Sequence, residues 1–208
     1  MKIYHFPYSP NSRRVLAVAF HLGLEPELIK VDLSKDEQMR AEFLKLNSNH
    51  AIPVLVDSDF VLWESVAIMQ YLANQVSSNS IWPAEAKAQA DVSRWLCWSL
   101  AHWGPACGFF IFERLVKNMR KLGEPDPVEL KKGEERMARY APVLDDHLKG
   151  REWLCGGTLT LADFTVGSYL ELAEAAHYPV KRYAEIWRWY RNIESLPEWQ
   201  RSAPKNFN

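Results

Sequence analysis

The 208-residue sequence has little cysteine. Its three, Cys97, Cys107 and Cys155, are odd in number and lack metal-ligand or redox spacing. That excludes a disulfide framework and suits buried free thiols in a reducing cytoplasm. No metal site is expected. Charge of one sign is lacking as well: 25 Lys+Arg stand against 26 Asp+Glu. Neither residues 1–80 nor the remainder forms a basic patch, so no nucleic-acid partner is expected. Long hydrophobic runs are also missing. Met1-Lys2 leads straight into Ile3-Tyr4-His5-Phe6, with no apolar run of a secretory leader, and a cytoplasmic location is expected. The most membrane-like stretch is WLCWSLAHWGPACGFFIF, residues 95–112. It contains Ser99, His102 and a Gly104-Pro105 break and barely reaches spanning length. A buried helix or a pocket wall is expected there, and no membrane. No internal repeat is found.

What is present divides into two halves with different periods. Residues 1–76 alternate strand and helix signals. KIYHF is a short β-like run, followed by a helix burying Val15, Leu16, Ala19, Phe20 and Leu22 and stopped at Gly23. ELIKVDL is a second strand. Ser34 and Glu37 have capping-box spacing for a helix running to about Leu46. IPVLV and FVLW are strands joined by Asp57-Ser58-Asp59, and a helix from Ser65 to about Val76 closes the unit. The order βαβαββα fits an α/β fold around a small mixed sheet. Residues 77–83 read as a linker. From 84 to 208 the pattern is all helical. A long helix over 84–121 is expected to bend near Gly104-Pro105. A second helix carries Leu130, Met137, Ala141, Leu144 and Leu148 to Gly150. Thr160 and Asp163 start a third, ended by Pro179. Ile186, Trp187, Tyr190 and Ile193 mark a fourth.

Three stretches of the first half carry chemistry. In PYSPNSRRV, residues 7–15, Ser9 and Ser12 stand where a redox loop would hold two cysteines. Ser9 is a good helix N-cap, and it is also placed to handle a thiol supplied by something else. In NHAIPVL, residues 49–55, Ile52-Pro53 heads a strand; the proline reads as a turn residue or a cis peptide. In LWESVAI, residues 62–68, Glu64-Ser65 lies at a strand-to-helix junction, where a cap or a carboxylate site fits.

Together these stretches resemble the cytosolic glutathione S-transferases of the serine type, delta/theta-like or a related bacterial class. The resemblance covers essentially the whole chain. SPNSRRV is similar to the family's serine signature, NSNHAIPVL to its Asn-Pro-x-x-x-[Val/Ile]-Pro-x-Leu segment and WESVAI to its Glu-Ser-x-Ala-Ile segment. TLTLADF, residues 158–164, resembles its Thr-x-Ala-Asp cap box. The resemblance implies a thioredoxin-like domain over 1–76 and an all-helical domain over 84–208 that carries the electrophile site and the dimer contacts. It implies a homodimeric enzyme with glutathione as co-substrate and a small hydrophobic electrophile as acceptor. Ser9 would donate to the glutathione sulfur. Ile52 would pair through its backbone with the cysteinyl peptide, aimed by a cis Pro53. Glu64 and Ser65 would hold the γ-glutamyl end, and His50 the glycine carboxylate. Tyr8 is the alternative donor, ahead of Asn11 and Ser12. Trp98, His102, Trp103 and Phe109, with Tyr8, are candidates for the second-substrate pocket; core packing is the other reading of these aromatics. Arg94 and Glu113 are assigned to a solvated face or to domain contacts.

Ser48 replaces the usual loop proline, and Gln38 and Val66 stand where the delta class often has histidine and arginine. Fewer cationic contacts imply weaker glutathione binding or compensation elsewhere. Two rivals share the fold: a non-catalytic interaction module, and a glutathione-dependent isomerase, dehalogenase or peroxidase.

Overall fold

A computed structural model describes residues 1–204 and divides them into two compact units. One comprises residues 1–82 together with the chain from Ser195 onward; the other spans Pro83–Glu194. Residues 195–204 pack with the first unit, through contacts that leave no local signature.

In the first unit, β1 (Lys2–His5) leads to α1 (Pro10–His21), then β2 (Glu27–Lys30), the short α2 (Ala41–Leu44), β3 (Val54–Asp57), β4 (Phe60–Trp63) and α3 (Ser65–Asn74). The strand order is β2-β1-β3-β4, with β2 parallel to β1, and β3 and β4 antiparallel to their neighbours. Strand alternation gives β1 two different faces. Ile3 is fully buried, as are Val15, Ala19, Ile68, Met69 and Leu72 of α1 and α3. Tyr4 points into a separate cluster with Phe6, Val31, Phe43, Ile52 and Val54.

The expected helix from Ser34 to Leu46 does not form. Asp32 is the cap: its carboxylate accepts from the Ser34 amide at 3.1 Å, while the Asp32 amide donates to Glu37 Oε2 at 2.8 Å. Asp36 then adopts φ 53°, in the left-handed region. That breaks the segment into two 3₁₀ turns, Leu33–Lys35 and Glu37–Met39, before α2.

In the helical unit, residues 86–120 run as α4 (Ala86–Trp98), α5 (Gly104–Phe110) and α6 (Lys117–Arg120), joined by π-helical turns at Ser99–Trp103 and Ile111–Val116. Pro105 has no N–H to donate, and the wider π turn just before it opens the helical register where a proline ring would otherwise crowd the preceding turn. Here α7 (Pro127–Leu148) lies so close to α5 that a Cβ on Gly133 would stand 2.8 Å from Phe109 Cβ. Glu113, expected on a solvated face or in domain contacts, is buried rather than solvated; it accepts from the Asp126 amide at 2.6 Å and pairs with Lys117. Burial opposes its charge, yet those two partners hold the carboxyl below its usual value.

Thr160 caps α8 (Leu161–Gly167) in a capping box with Asp163. This helix stops well short of Pro179: it ends at Gly167, and a 3₁₀ turn at Leu170–Leu172 follows. The unit closes with α9 (Ala184–Glu194), and α10 (Pro197–Arg201) belongs to the first unit. Cys107 and Cys155 are buried as expected, and burial pushes the Cys155 thiol up to about 12; Cys97 is exposed. Among the described residues no helix is long and apolar enough to cross a membrane.

Candidate active site

Strand register gathers the three sequence stretches at one end of the sheet. Tyr4 of β1 faces Val54 of β3, and Val54 faces Trp63 of β4. The residues just after β1, just before β3 and just after β4 therefore share that end. They are Tyr8-Ser9, Ile52-Pro53 and Glu64-Ser65. Because α1 follows β1 and α3 follows β4, both helices begin there, with their unpaired N–H groups and positive dipole ends.

Ser9 is the N-cap of α1. Its backbone is extended (φ −87°, ψ 122°), and its hydroxyl oxygen accepts from the Ser12 amide at 3.3 Å. Among the described residues the hydroxyl donates to nothing. The first turn of α1 contains no acidic residue, so no carboxylate of its own turn offsets its dipole end. Ser12, the other half of the redox-like spacing, is fully buried, and its oxygen accepts from the Phe6 amide at 3.2 Å. It fixes the loop below Ser9. Tyr8 is exposed and meets Phe6 edge to face, ring centres 5.4 Å apart. Burial, and then the charge of Lys30, hold the His5 imidazole at the end of β1 below its usual value.

The loop before β3 is organised by Asn47, a residue read from the sequence only as part of a segment. Its side chain donates to the Ala51 carbonyl at 2.8 Å and accepts from the Asn49 amide at 3.0 Å. Asparagine in a polar loop is the local signal for such a turn. The turn presents His50, exposed at φ 57°, and leads to a cis Ile52-Pro53 bond between buried residues. Glu64 is exposed at φ 72° and makes no side-chain cap to α3. Ser65 is buried at the first position of α3. A non-glycine residue held at positive φ beside an uncapped helix start is the kind of outlier found at ligand clamps.

Residues 1–74 match the family model for the glutathione S-transferase N-terminal domain, and residues 127–192 that for the C-terminal domain. Glutathione S-transferase 3 of Zea mays is 33% identical over 98% of this chain and 93% of its own. This chain belongs to the glutathione S-transferase family. The transferase is also 28% identical to glutathione S-transferase D6 of Drosophila melanogaster, over 99% of this chain and 93% of that one. Among solved structures, apo glutathione S-transferase III superposes with a TM-score of 0.84 at 34% identity, covering 97% and 94% of the two chains. A glutathione transferase from Phanerochaete chrysosporium with oxidized glutathione gives 0.86 at 27% identity, covering 97% and 92%.

The other candidate residues of the transferase lie in the helical unit. Trp103 is fully buried, with its indole N–H donated to the Val166 carbonyl at 3.1 Å. It is core, and Trp98 stacks on it with ring centres 6.0 Å apart. Trp98 also lines a groove of about 340 Å³ with Arg94, Trp95, Val143 and His147. His102 stacks on Tyr140 at 4.8 Å, and Phe109 packs beside Arg136. Arg94 is exposed and pairs with Asp91.

Proposed function

We propose that the transferase binds glutathione at this end of the sheet, with Ser9 donating to its sulfur, and adds the thiolate to a hydrophobic electrophile. The observation that carries this reading is the Ser9 hydroxyl. It is capped on its acceptor side by the Ser12 amide, and its proton is uncommitted among the described residues. A free thiol has a pKa of about 8.5, and bringing it to about 6.5 requires roughly 2.7 kcal/mol. One hydrogen bond to a charged group contributes about 1.5–3 kcal/mol. A helix N-terminus adds roughly 0.3–1 kcal/mol. Ser9 at the head of α1 is therefore sufficient without becoming an alkoxide or a base.

The thiol proton leaves to solvent. The sulfur lone pair then forms the C–S bond, and the leaving group departs with its electron pair or, in an addition, the product carbanion takes up a proton. The Ile52 backbone is assigned to the cysteinyl peptide, next to Pro53. Glu64 and Ser65 are assigned to the γ-glutamyl end, which the open N-terminus of α3 also favours. His50 is assigned to the glycine carboxylate. Trp98, His102 and Phe109, with Tyr8, are assigned to the electrophile, with Trp103 backing Trp98. No metal takes part in this scheme. The reading includes a cytoplasmic homodimer, for which light scattering should give twice 24.1 kDa.

The test is the pKa of bound glutathione in wild type, Ser9→Ala and Tyr8→Phe. The expected result is a rise toward the free-thiol value in Ser9→Ala alone. An unchanged value in Ser9→Ala overturns the assignment, and a rise only in Tyr8→Phe transfers the role to Tyr8. Glutathione binding without turnover on any electrophile would instead favour an interaction module.

A further inference from the structure

The chain from Ser195 returns to α1, the helix that carries Ser9. Arg13 is its main anchor. Although charged, it is only 6% exposed. Its Nε donates to Ser202 Oγ at 3.3 Å, one terminal nitrogen donates to the Trp199 carbonyl at 3.2 Å, and the guanidinium lies 4.2 Å from the centre of the Trp199 ring. Ser202 Oγ in turn donates to the same Trp199 carbonyl at 2.7 Å, so three groups close one buried network. At the far end of α1, His21 pairs with Glu198, and Arg201 stacks on Phe20 at 3.9 Å while reaching Glu25. Arg13 and His21 are about 12 Å apart along the helix at 1.5 Å per residue. The returning segment thus grips α1 near both ends.

The near end bears on Ser9. The Arg13 amide donates to the Ser9 carbonyl at 2.9 Å, and the preceding amide, that of Ser12, donates to Ser9 Oγ. The turn that orients the Ser9 hydroxyl is therefore the turn from which the Arg13 side chain departs. A hydrogen bond to a thiolate is useful only over a few tenths of an ångström, and a misplacement of about 1 Å costs on the order of 100-fold in rate.

We propose that Arg13 is a positioning residue: by clasping Trp199 and Ser202 it fixes the first turn of α1, and through it the Ser9 hydroxyl toward the glutathione sulfur. This rests on the assignment of Ser9 above. It gives the C-terminal segment a part in thiol activation from a place where it touches no reacting atom.

The test measures the pKa of bound glutathione from its thiolate absorbance, with kcat and KM, in wild type, Ser9→Ala, Arg13→Met, Arg13→Lys and Ser202→Ala. Arg13→Met is expected to raise that pKa by roughly one unit and lower kcat about tenfold, with the glutathione KM within about twofold. Arg13→Lys keeps the charge without the forked grip and should move the pKa the same way by about half as much. Ser202→Ala leaves Arg13 charged and should still raise the pKa slightly. Should Arg13→Met not fold, the two milder variants decide. Folded variants with lower melting temperatures and a wild-type glutathione pKa would overturn the proposal and leave Arg13 a structural tie. Full rescue by Arg13→Lys together with a silent Ser202→Ala would also overturn it, since charge alone would then be acting. A wild-type pKa in Ser9→Ala would instead remove the premise, a result separable from the others.

Discussion

Among the described residues, two helix starts are capped by a hydroxyl, and they do opposite things with it. At α8, Thr160 and Asp163 close on each other. Asp163 is fully buried and accepts from the Leu154 amide, the Thr160 amide and hydroxyl, and the Trp189 indole. Both carboxylate oxygens and the Thr160 hydroxyl are engaged within the protein. At α1, Ser9 is partly exposed, its acceptor is satisfied, and no carboxylate stands in the first turn. The first arrangement spends its polar groups on the fold. The second leaves a proton and a dipole end for a ligand. On the reading proposed for Ser9, the same residue class at the same helical position is structural when its network is complete and serves a ligand when it is left open.

The comparison breaks most visibly at Asp163. Replacing it with alanine strands two backbone amides and an indole in the core, and unsatisfied buried donors cost about 1–3 kcal/mol each. Asp163→Ala should therefore lose about 3–5 kcal/mol in chemical denaturation. Ser9→Ala should lose only about 1 kcal/mol, the usual value for an N-cap. Its catalytic loss should be roughly 100-fold in kcat/KM, comparable to removing one donor to a developing anion. If Ser9→Ala destabilised the protein as much as Asp163→Ala, the two caps would not differ in kind.

A smaller effect separates them by pH. Burial, against the pull of its four donors, raises the Asp163 carboxyl from 3.8 to about 6. Between those values the folded state holds the proton more tightly than the unfolded state. Stability from this group is therefore present at low pH and lost as pH rises through about 6. Asp163→Asn cannot titrate. The stability of wild type relative to Asp163→Asn should thus grow as pH falls from 6 to 5, by about 1 kcal/mol over that unit. A gap independent of pH would mean that Asp163 stays ionised throughout.

The sequence made some of this legible and hid the rest for physical reasons. Ser9, Ile52-Pro53, Glu64-Ser65 and the Thr160–Asp163 box are local signals: caps, a turn proline and strand-to-helix junctions announce themselves within four residues. Their meeting at one sheet end depends on the pairing of β1, β3 and β4, which no local signal gives. Ser34 and Glu37 misled because Asp32 competes as a cap and Asp36 turns left-handed. The π turns flanking α5 have no periodicity of their own in a helix already rich in aromatics. The clasp of Arg13 on Trp199 spans 186 residues. A sequence pattern places Arg13 near the start of an amphipathic helix and says nothing of its meeting Trp199.

Two glycines extend the contrast between closed and open positions to helix packing. A Cβ on Gly133 would lie 2.8 Å from Phe109 Cβ and 3.0 Å from the Phe110 ring; a Cβ on Gly108 would meet nothing within 4 Å. Gly133→Ala should lose about 1–3 kcal/mol through overpacking. Gly108→Ala should gain about 0.5–1 kcal/mol from helix propensity alone. Thermal melts of both variants check the pair. A loss at Gly108 of the same size as at Gly133 would show that its open face is occupied in solution.

The smallest effect is expected where the C-terminal grip reaches the surface. Arg201 pairs with Glu25, and their side chains are 49% and 65% exposed. The hydrogen bond from Arg201 holds the Glu25 carboxyl below its usual range. Such a pair gains little, because water screens its attraction and two long side chains must be ordered to make it. It should matter still less at physiological salt. Glu25→Gln should leave the melting temperature and the pKa of bound glutathione at wild-type values, while Ser202→Ala, which touches the buried network, moves both. If Glu25→Gln moved the glutathione pKa as far as Ser202→Ala, the hold on α1 would be spread along the whole returning segment. Arg13 would then be one contact among several rather than the one that sets Ser9.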